Sequence, residues 1–112
     1  MHDSNLEYFM TQTLKIVMGQ LNFLVGDIDG NSEIVIQSSS DAINEHAADM
    51  IFFPELTLTG YPMEDLLLRP SLEHRIDKAI DKILKANLDI TIVLGYPRVF
   101  DSKLYNTLGV IH

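Results

Sequence analysis

Short apolar runs bounded by turn-forming residues predict four β-strands in this chain. They lie at residues 14–21, 50–53, 90–94 and 105–112. The second run is wholly apolar, which is typical of a strand buried on both faces, and Pro54 directly follows it. Gly95, Tyr96 and Pro97 are predicted to close the third strand.

Segments whose apolar residues recur with a helical spacing lie between these predicted strands. The clearest helix is predicted at residues 72–86, where one face is apolar and the other charged, with Asp81 and Lys85 forming an i,i+4 pair. An earlier helix is predicted from an N-cap at Asn31 or Ser32 to about Ala47, and a helical turn at 64–68. The order β-α-β-α-β-β predicts an α/β fold with a largely parallel sheet covered by helices.

Composition narrows the function classes. The 112 residues include 16 acids, 8 Lys and Arg, and no cysteine, so disulfides, thiolate metal sites and a thiol nucleophile are excluded within this chain. A net charge of −8 disfavours nucleic acid as a partner. No apolar stretch is long enough for a membrane span and no signal segment is visible, so we expect a cytoplasmic location.

The predicted organisation is a flexible extension at residues 1–13, with Met1 or Met10 as the start, followed by a domain at residues 14–112. The last predicted strand has no capping element after it. We therefore expect the chain to be an incomplete domain that associates or aggregates through exposed apolar surface.

Glu55 is the first candidate for chemistry. It follows the predicted buried strand at 50–53, and ligands of open α/β sheets bind at the carboxyl ends of strands. Apolar walls at such a position raise the pKa of a carboxyl group towards the range of a general base. The structural alternative is a solvated loop acid or a helix cap.

Asp27 and Asp29 form a second candidate. Two aspartates separated by one residue and followed by Gly30 are similar to the first motif of haloacid-dehalogenase-type phosphohydrolases, which bind magnesium. Gly26 before the pair and Asn31 after it depart from that motif. The alternative is a loop and helix N-terminus, where acids are favourable. The histidines show no metal-ligand spacing, and the glycines form no nucleotide-binding loop.

A longer stretch around Glu55 resembles a known family. The segment Phe53-Pro54-Glu55 with Gly60-Tyr61-Pro62 and Leu68-Arg69-Pro70 is similar to the nitrilase-type glutaminase domain of glutamine-dependent NAD synthetases. Segments 14–31 and 105–107 are similar too. The resemblance covers nearly all of residues 10–112, and it implies part of a four-layer α-β-β-α sandwich of the nitrilase, or carbon-nitrogen hydrolase, type.

The resemblance also implies a site. The family hydrolyses glutamine with a glutamate, a lysine and a cysteine, and Glu55 matches the glutamate; Tyr61 occupies a position near the pocket and is a candidate substrate-binding residue. Lys103 does not match the lysine, and the chain has no cysteine, so we expect this polypeptide alone to be inactive.

The parent enzyme implied by this resemblance is a ligase. It would pass ammonia to a separate synthetase domain that converts deamido-NAD to NAD with ATP and magnesium, and it would form a homo-oligomer. No cofactor is expected in the chain itself. The alternatives are another nitrilase-superfamily amidase, a magnesium-dependent phosphohydrolase using Asp27 and Asp29, and a non-catalytic α/β interaction module.

Overall fold

The computed structural model describes residues 13–60, 71–101 and 103–112. In chain order the elements are β1 (Ile16–Met18), α1 (Ile28–His46), β2 (Met50–Phe52), α2 (Leu72–Lys85), β3 (Thr91–Phe100) and β4 (Lys103–Ile111). The four strands form one sheet in the order β1-β2-β3-β4. The first three strands are parallel and β4 is antiparallel to β3, so the predicted α/β fold with a largely parallel sheet is confirmed.

Helix α1 begins earlier than its sequence pattern predicts. Its N-cap is Asp27, whose carboxylate accepts a hydrogen bond from the Gly30 amide at 3.1 Å, so the predicted cap at Asn31 or Ser32 is wrong. Both residues instead lie buried in the first turns of the helix. Gly30 makes this stretch resemble a loop in sequence, but a side chain there would collide with the capping carboxylate, only 2.2 Å from an ideal Cβ.

Strand β3 continues past the glycine and proline that were predicted to end it. It pairs with β2 only as far as Val93, with a further bond from the Phe53 amide to the Val93 carbonyl. Beyond that point β4 is the only strand that pairs with it among the described residues, and Pro97 pairs there with Asn106. Proline is tolerated where one side of a strand needs no ladder bond. Strand β1 is correspondingly shorter than predicted, because only three of its residues pair with β2.

The core lies between the two helices and one face of the sheet. Helix α2 buries Leu72, Ile76, Ala79 and Ile83 on the predicted apolar face, while Leu84 at the edge of that face is half exposed. Side chains from β2 and β3, including Ile51, Ile92 and Leu94, join the same cluster. Among the described residues, neither helix combines the length and apolar character needed to cross a membrane.

The opposite face of the sheet is apolar too. Ile16 and Met18 on β1 and Leu108 and Val110 on β4 are 48–66% exposed. Met50 and Phe52 between them are half-buried, so β2 is not buried on both faces within the described residues. Exposed apolar surface of this kind favours association, so self-association of the isolated chain stays a prediction.

Charged side chains tie the two helices together at their surface. Lys82 on α2 contacts Asp29 at 3.0 Å and also Glu33, both on α1. The Lys82 ammonium group donates hydrogen bonds to the carboxylates of Glu33 and Asp29, and these bonds, the one to Glu33 first, raise its pKa. Lys85 and Asp81 form the predicted i,i+4 pair at 2.8 Å.

Candidate active site

Glu55 lies in the turn that follows β2. Together with the loop after β1 this turn borders a cleft of about 260 Å³, lined by Leu21, Asn22, Phe23, Pro54, Glu55, Leu56, Thr57 and Gly60. The position at the carboxyl end of β2 is as predicted. The expected desolvation by apolar walls is not observed, because the side chain of Glu55 is exposed among the described residues.

The backbone of Glu55 rests directly on β3. A Cβ added at Gly95 would lie 2.8 Å from the Leu56 nitrogen and 3.1 Å from the Glu55 Cα. Only a residue without a side chain therefore allows the turn to approach the strand this closely. Gly95, predicted to end a strand, instead provides the surface against which Glu55 is placed.

The turn is held by its own hydrogen bonds. The Leu56 carbonyl accepts from the Gly60 amide at 2.7 Å and from the Thr59 amide at 3.2 Å, and the Thr57 hydroxyl donates to the Pro54 carbonyl. Leu56 has a φ of 55°, a left-handed conformation that is uncommon for leucine. Such a conformation persists only where the surroundings determine it, so the backbone of the turn that carries Glu55 is closely constrained.

The opposite wall of the cleft is the loop between β1 and α1. The ring of Phe23 meets the buried ring of Phe53 edge to face, with centroids 6.1 Å apart. The Gly26 amide donates to the Thr59 carbonyl at 2.9 Å, which joins this loop to the Glu55 turn. From the other side, the Arg75 guanidinium donates to the Gly26 carbonyl at 2.6 Å.

Asp27 and Asp29 occupy structural positions. Asp27 caps α1, and Asp29 is exposed and paired with Lys82. The described residues contain no cluster of three or more His, Cys, Asp and Glu side chains that could hold a metal ion. This arrangement matches the structural alternative for the pair, in which the acids lie at a helix N-terminus.

Two residues at this cleft carry no motif that marks them as site components: Gly95, under the Glu55 turn, and Asn31, whose side chain hydrogen-bonds to Leu24 and Leu58 in the two bordering loops. The sequence pattern predicts a helix cap at Asn31 and the end of a strand at Gly95. Two features of the sequence point to their roles. Asn31 is a polar residue close to the apolar positions of α1, and Gly95 is a glycine within an otherwise apolar strand. Tyr61, the other predicted site residue, lies outside the described residues, as does the predicted helical turn at 64–68.

Comparison with known proteins places this geometry in a family. The sequence profile of the carbon-nitrogen hydrolases matches residues 15–112. The chain belongs to the carbon-nitrogen hydrolase family. The match spans the sheet, both helices and the Glu55 turn.

Individual relatives agree with this assignment. The chain is 42% identical over 102 residues to a glutamine-dependent NAD(+) synthetase of Xylella fastidiosa, covering 91% of the chain and 19% of that protein. It is 42% identical over 103 residues to the synthetase of Aquifex aeolicus, covering 88% of the chain and 17% of that protein. The resemblance to this branch is therefore confirmed, and the chain spans about a fifth of the length of these relatives.

Solved structures show the same fold. The glutamine-dependent NAD+ synthetase from Acinetobacter baumannii, in complex with ADP, matches with a TM-score of 0.81 and 36% identity over 89% of this chain and 19% of its own. An amidase from Nesterenkonia sp. matches with a TM-score of 0.72 at 20% identity, over 87% of this chain and 37% of its own. The fold of the carbon-nitrogen hydrolase sandwich is thus confirmed for the part present.

Proposed function

We propose that this chain supplies the general base of a glutaminase site in a glutamine-dependent NAD synthetase. The observation that carries the proposal is the placement of Glu55, at the carboxyl end of β2, on a turn constrained by Gly95 and by Leu56. Similarity to synthetases of that name at 42% identity supports the choice of glutamine as substrate.

In the proposed reaction, the Glu55 carboxylate removes the proton from a cysteine thiol, and the thiolate attacks the γ-carbonyl carbon of glutamine. Glu55 returns the proton to the leaving amine, which departs as ammonia and leaves a thioester. Glu55 then deprotonates a water molecule that hydrolyses the thioester to glutamate and free thiol. A lysine would stabilise the oxyanion. The cysteine and the matching lysine are absent from this chain, so they must come from elsewhere in the enzyme.

The proposal includes partners beyond the chain. Ammonia would pass to a synthetase domain that uses ATP and magnesium to amidate deamido-NAD, in a cytoplasmic homo-oligomer. The ADP bound in the A. baumannii relative supports a nucleotide site in that protein. ATP and magnesium are assigned to the synthetase domain, in keeping with the similarity to glutamine-dependent NAD synthetases. Tyr61 is proposed to line the glutamine pocket.

A graft enzyme tests this function. In it, the matched 102-residue segment of the X. fastidiosa synthetase is replaced by the corresponding segment of this chain. We expect the graft enzyme to make NAD from deamido-NAD with either glutamine or ammonia. Glu55→Gln should lower the glutamine-dependent rate by roughly 100- to 10,000-fold, since general bases contribute about that much, and leave the ammonia-dependent rate unchanged.

The matched control is Glu45→Gln, which makes the same change at an exposed acid on α1, outside the cleft. Both rates should stay at the level of the unsubstituted graft. A graft enzyme that uses ammonia but not glutamine would refute the proposed function. A Glu55→Gln variant that keeps the glutamine-dependent rate would refute the role of Glu55.

A further inference from the structure

The side chain of Asn31 joins the two walls of the cleft. Its amide nitrogen donates to the Leu24 carbonyl at 2.8 Å and to the Leu58 carbonyl at 2.9 Å, and its oxygen accepts from the Leu24 amide at 2.9 Å. Both N–H groups of the amide are thereby used, together with one acceptor position. No other amino acid offers two donors and an acceptor on so short a side chain.

The position of Asn31 makes these bonds strong constraints. The residue is 0% exposed, so water cannot replace a missing partner without a rearrangement of the helix and both loops. It lies in the first turn of α1, which is anchored by the Asp27 cap and by the core residue Ile28. The Asn31 side chain therefore links the helix α1 to the two loops that border the cleft.

Both loops carry cleft residues close to the Asn31 contacts. Leu24 follows Phe23, which lines one wall, and Leu58 lies three residues after Glu55 on the other. The bonds of the Leu56 carbonyl to Thr59 and Gly60 make the turn move as a unit, so a shift at Leu58 is transmitted to Glu55. The buried Asn31 amide thus joins the two walls by side-chain hydrogen bonds, in addition to the backbone bond from Gly26 to Thr59.

We propose that Asn31 is a positioning residue for the glutaminase reaction, which holds Glu55 at the correct distance from the opposite wall of the cleft. This inference rests on the proposed function. It predicts that loss of the Asn31 amide lowers the rate of the chemical step through a displaced general base, although Asn31 touches no reacting atom. A displacement of about 1 Å in a catalytic group costs roughly 100-fold in rate.

The test uses the graft enzyme with Asn31→Ala and, in case that variant does not fold, the isosteric Asn31→Asp, which keeps the acceptor and removes both donors. We expect kcat with glutamine to fall roughly 10- to 100-fold, with a smaller change in KM and an unchanged ammonia-dependent rate. The stability control is Val35→Ala, one turn later on the same buried face of α1. It should lower the urea midpoint while kcat stays within about twofold of the unsubstituted graft.

Amide hydrogen exchange measures directly whether the two loops separate. In Asn31→Ala or Asn31→Asp, the Gly26 amide, which donates to Thr59, should lose protection as the loops separate, whereas the Gly19 amide, bonded to Phe52 at 2.7 Å, should keep it. Unchanged kcat in both Asn31 variants, or an equal loss of kcat in Val35→Ala, would overturn the inference. If the unsubstituted graft itself fails to use glutamine, the proposed function fails instead.

Discussion

A methyl group at Gly95 tests how closely the Glu55 turn must approach the sheet. In Gly95→Ala the new Cβ would lie 2.8 Å from the Leu56 nitrogen, and ordinary contact begins at 3.4 Å. The turn must therefore retreat by about 0.6 Å, because the atoms it meets belong to backbone and cannot rotate away. A retreat of that size moves the Glu55 carboxylate with it.

Two opposing effects set the change in stability. Overpacking costs about 1–3 kcal/mol, whereas replacing glycine by alanine within a strand gains about 0.5–1 kcal/mol by restricting the unfolded chain. We expect a net loss of about 1–2 kcal/mol in the free energy of unfolding, because the colliding atoms are backbone. The glutamine-dependent kcat of the graft enzyme should fall about tenfold, since a full 1 Å displacement costs roughly 100-fold.

The matched control is Gly109→Ala on the neighbouring strand β4. Its Cβ would lie 2.6 Å from the ring of Tyr96, a side chain that can turn aside, so stability should fall less and kcat should not change. Urea titration and steady-state kinetics measure both quantities. A Gly95→Ala variant with unchanged kcat would show that the contact with β3 does not determine where Glu55 lies.

Three further predictions concern stability and are measured by urea titration of the graft enzyme. Ala47→Gly should stabilise the fold by about 0.5–1 kcal/mol, because Ala47 has a φ of 50°, which favours glycine. The control Ala86→Gly, at φ −63°, should destabilise the fold by about 0.5–1 kcal/mol. Changes of the same sign in the two variants would contradict this prediction. Asp27→Ala should cost about 1 kcal/mol through loss of the α1 cap, and Asp27→Ser should restore most of it, so equal losses would argue against capping. Hydrogen bonds that Lys82 donates to Glu33 and Asp29 raise its pKa, so the stabilisation it provides should be complete below its ordinary pKa of 10.5 and should be lost as the pH rises through the raised value. A Lys82→Met variant whose deficit is unchanged at high pH would contradict the assignment.

Strong periodicity and motif spacing account for what could be predicted from the sequence. Helix α2 has its apolar residues on one face, and the structure buries four of them as expected. The placement of Glu55 after β2 followed from a wholly apolar run ending in proline. These features are local, and each is written in a few adjacent residues.

What the sequence could not predict depends on partners far along the chain. Pro97 lies within β3 because β2 has already ended beside it, a fact that no local pattern contains. Gly95 is needed because the Glu55 turn lies on it, some 40 residues away in sequence. Asn31 resembles a cap in sequence, but its partners are Leu24 and Leu58, and only the folded loops bring them together.

The antiparallel pairing of β3 with β4 has a consequence for the order of folding. Phe100 and Lys103 pair across three residues of chain, whereas Ile16 and Met50 pair across 34. Loop closure costs more entropy for the longer separation, so the hairpin should form before the parallel ladder. The strand that carries Gly95 would then be in place as a template when the Glu55 turn arrives, and substitutions in the hairpin should slow folding more than substitutions in β1.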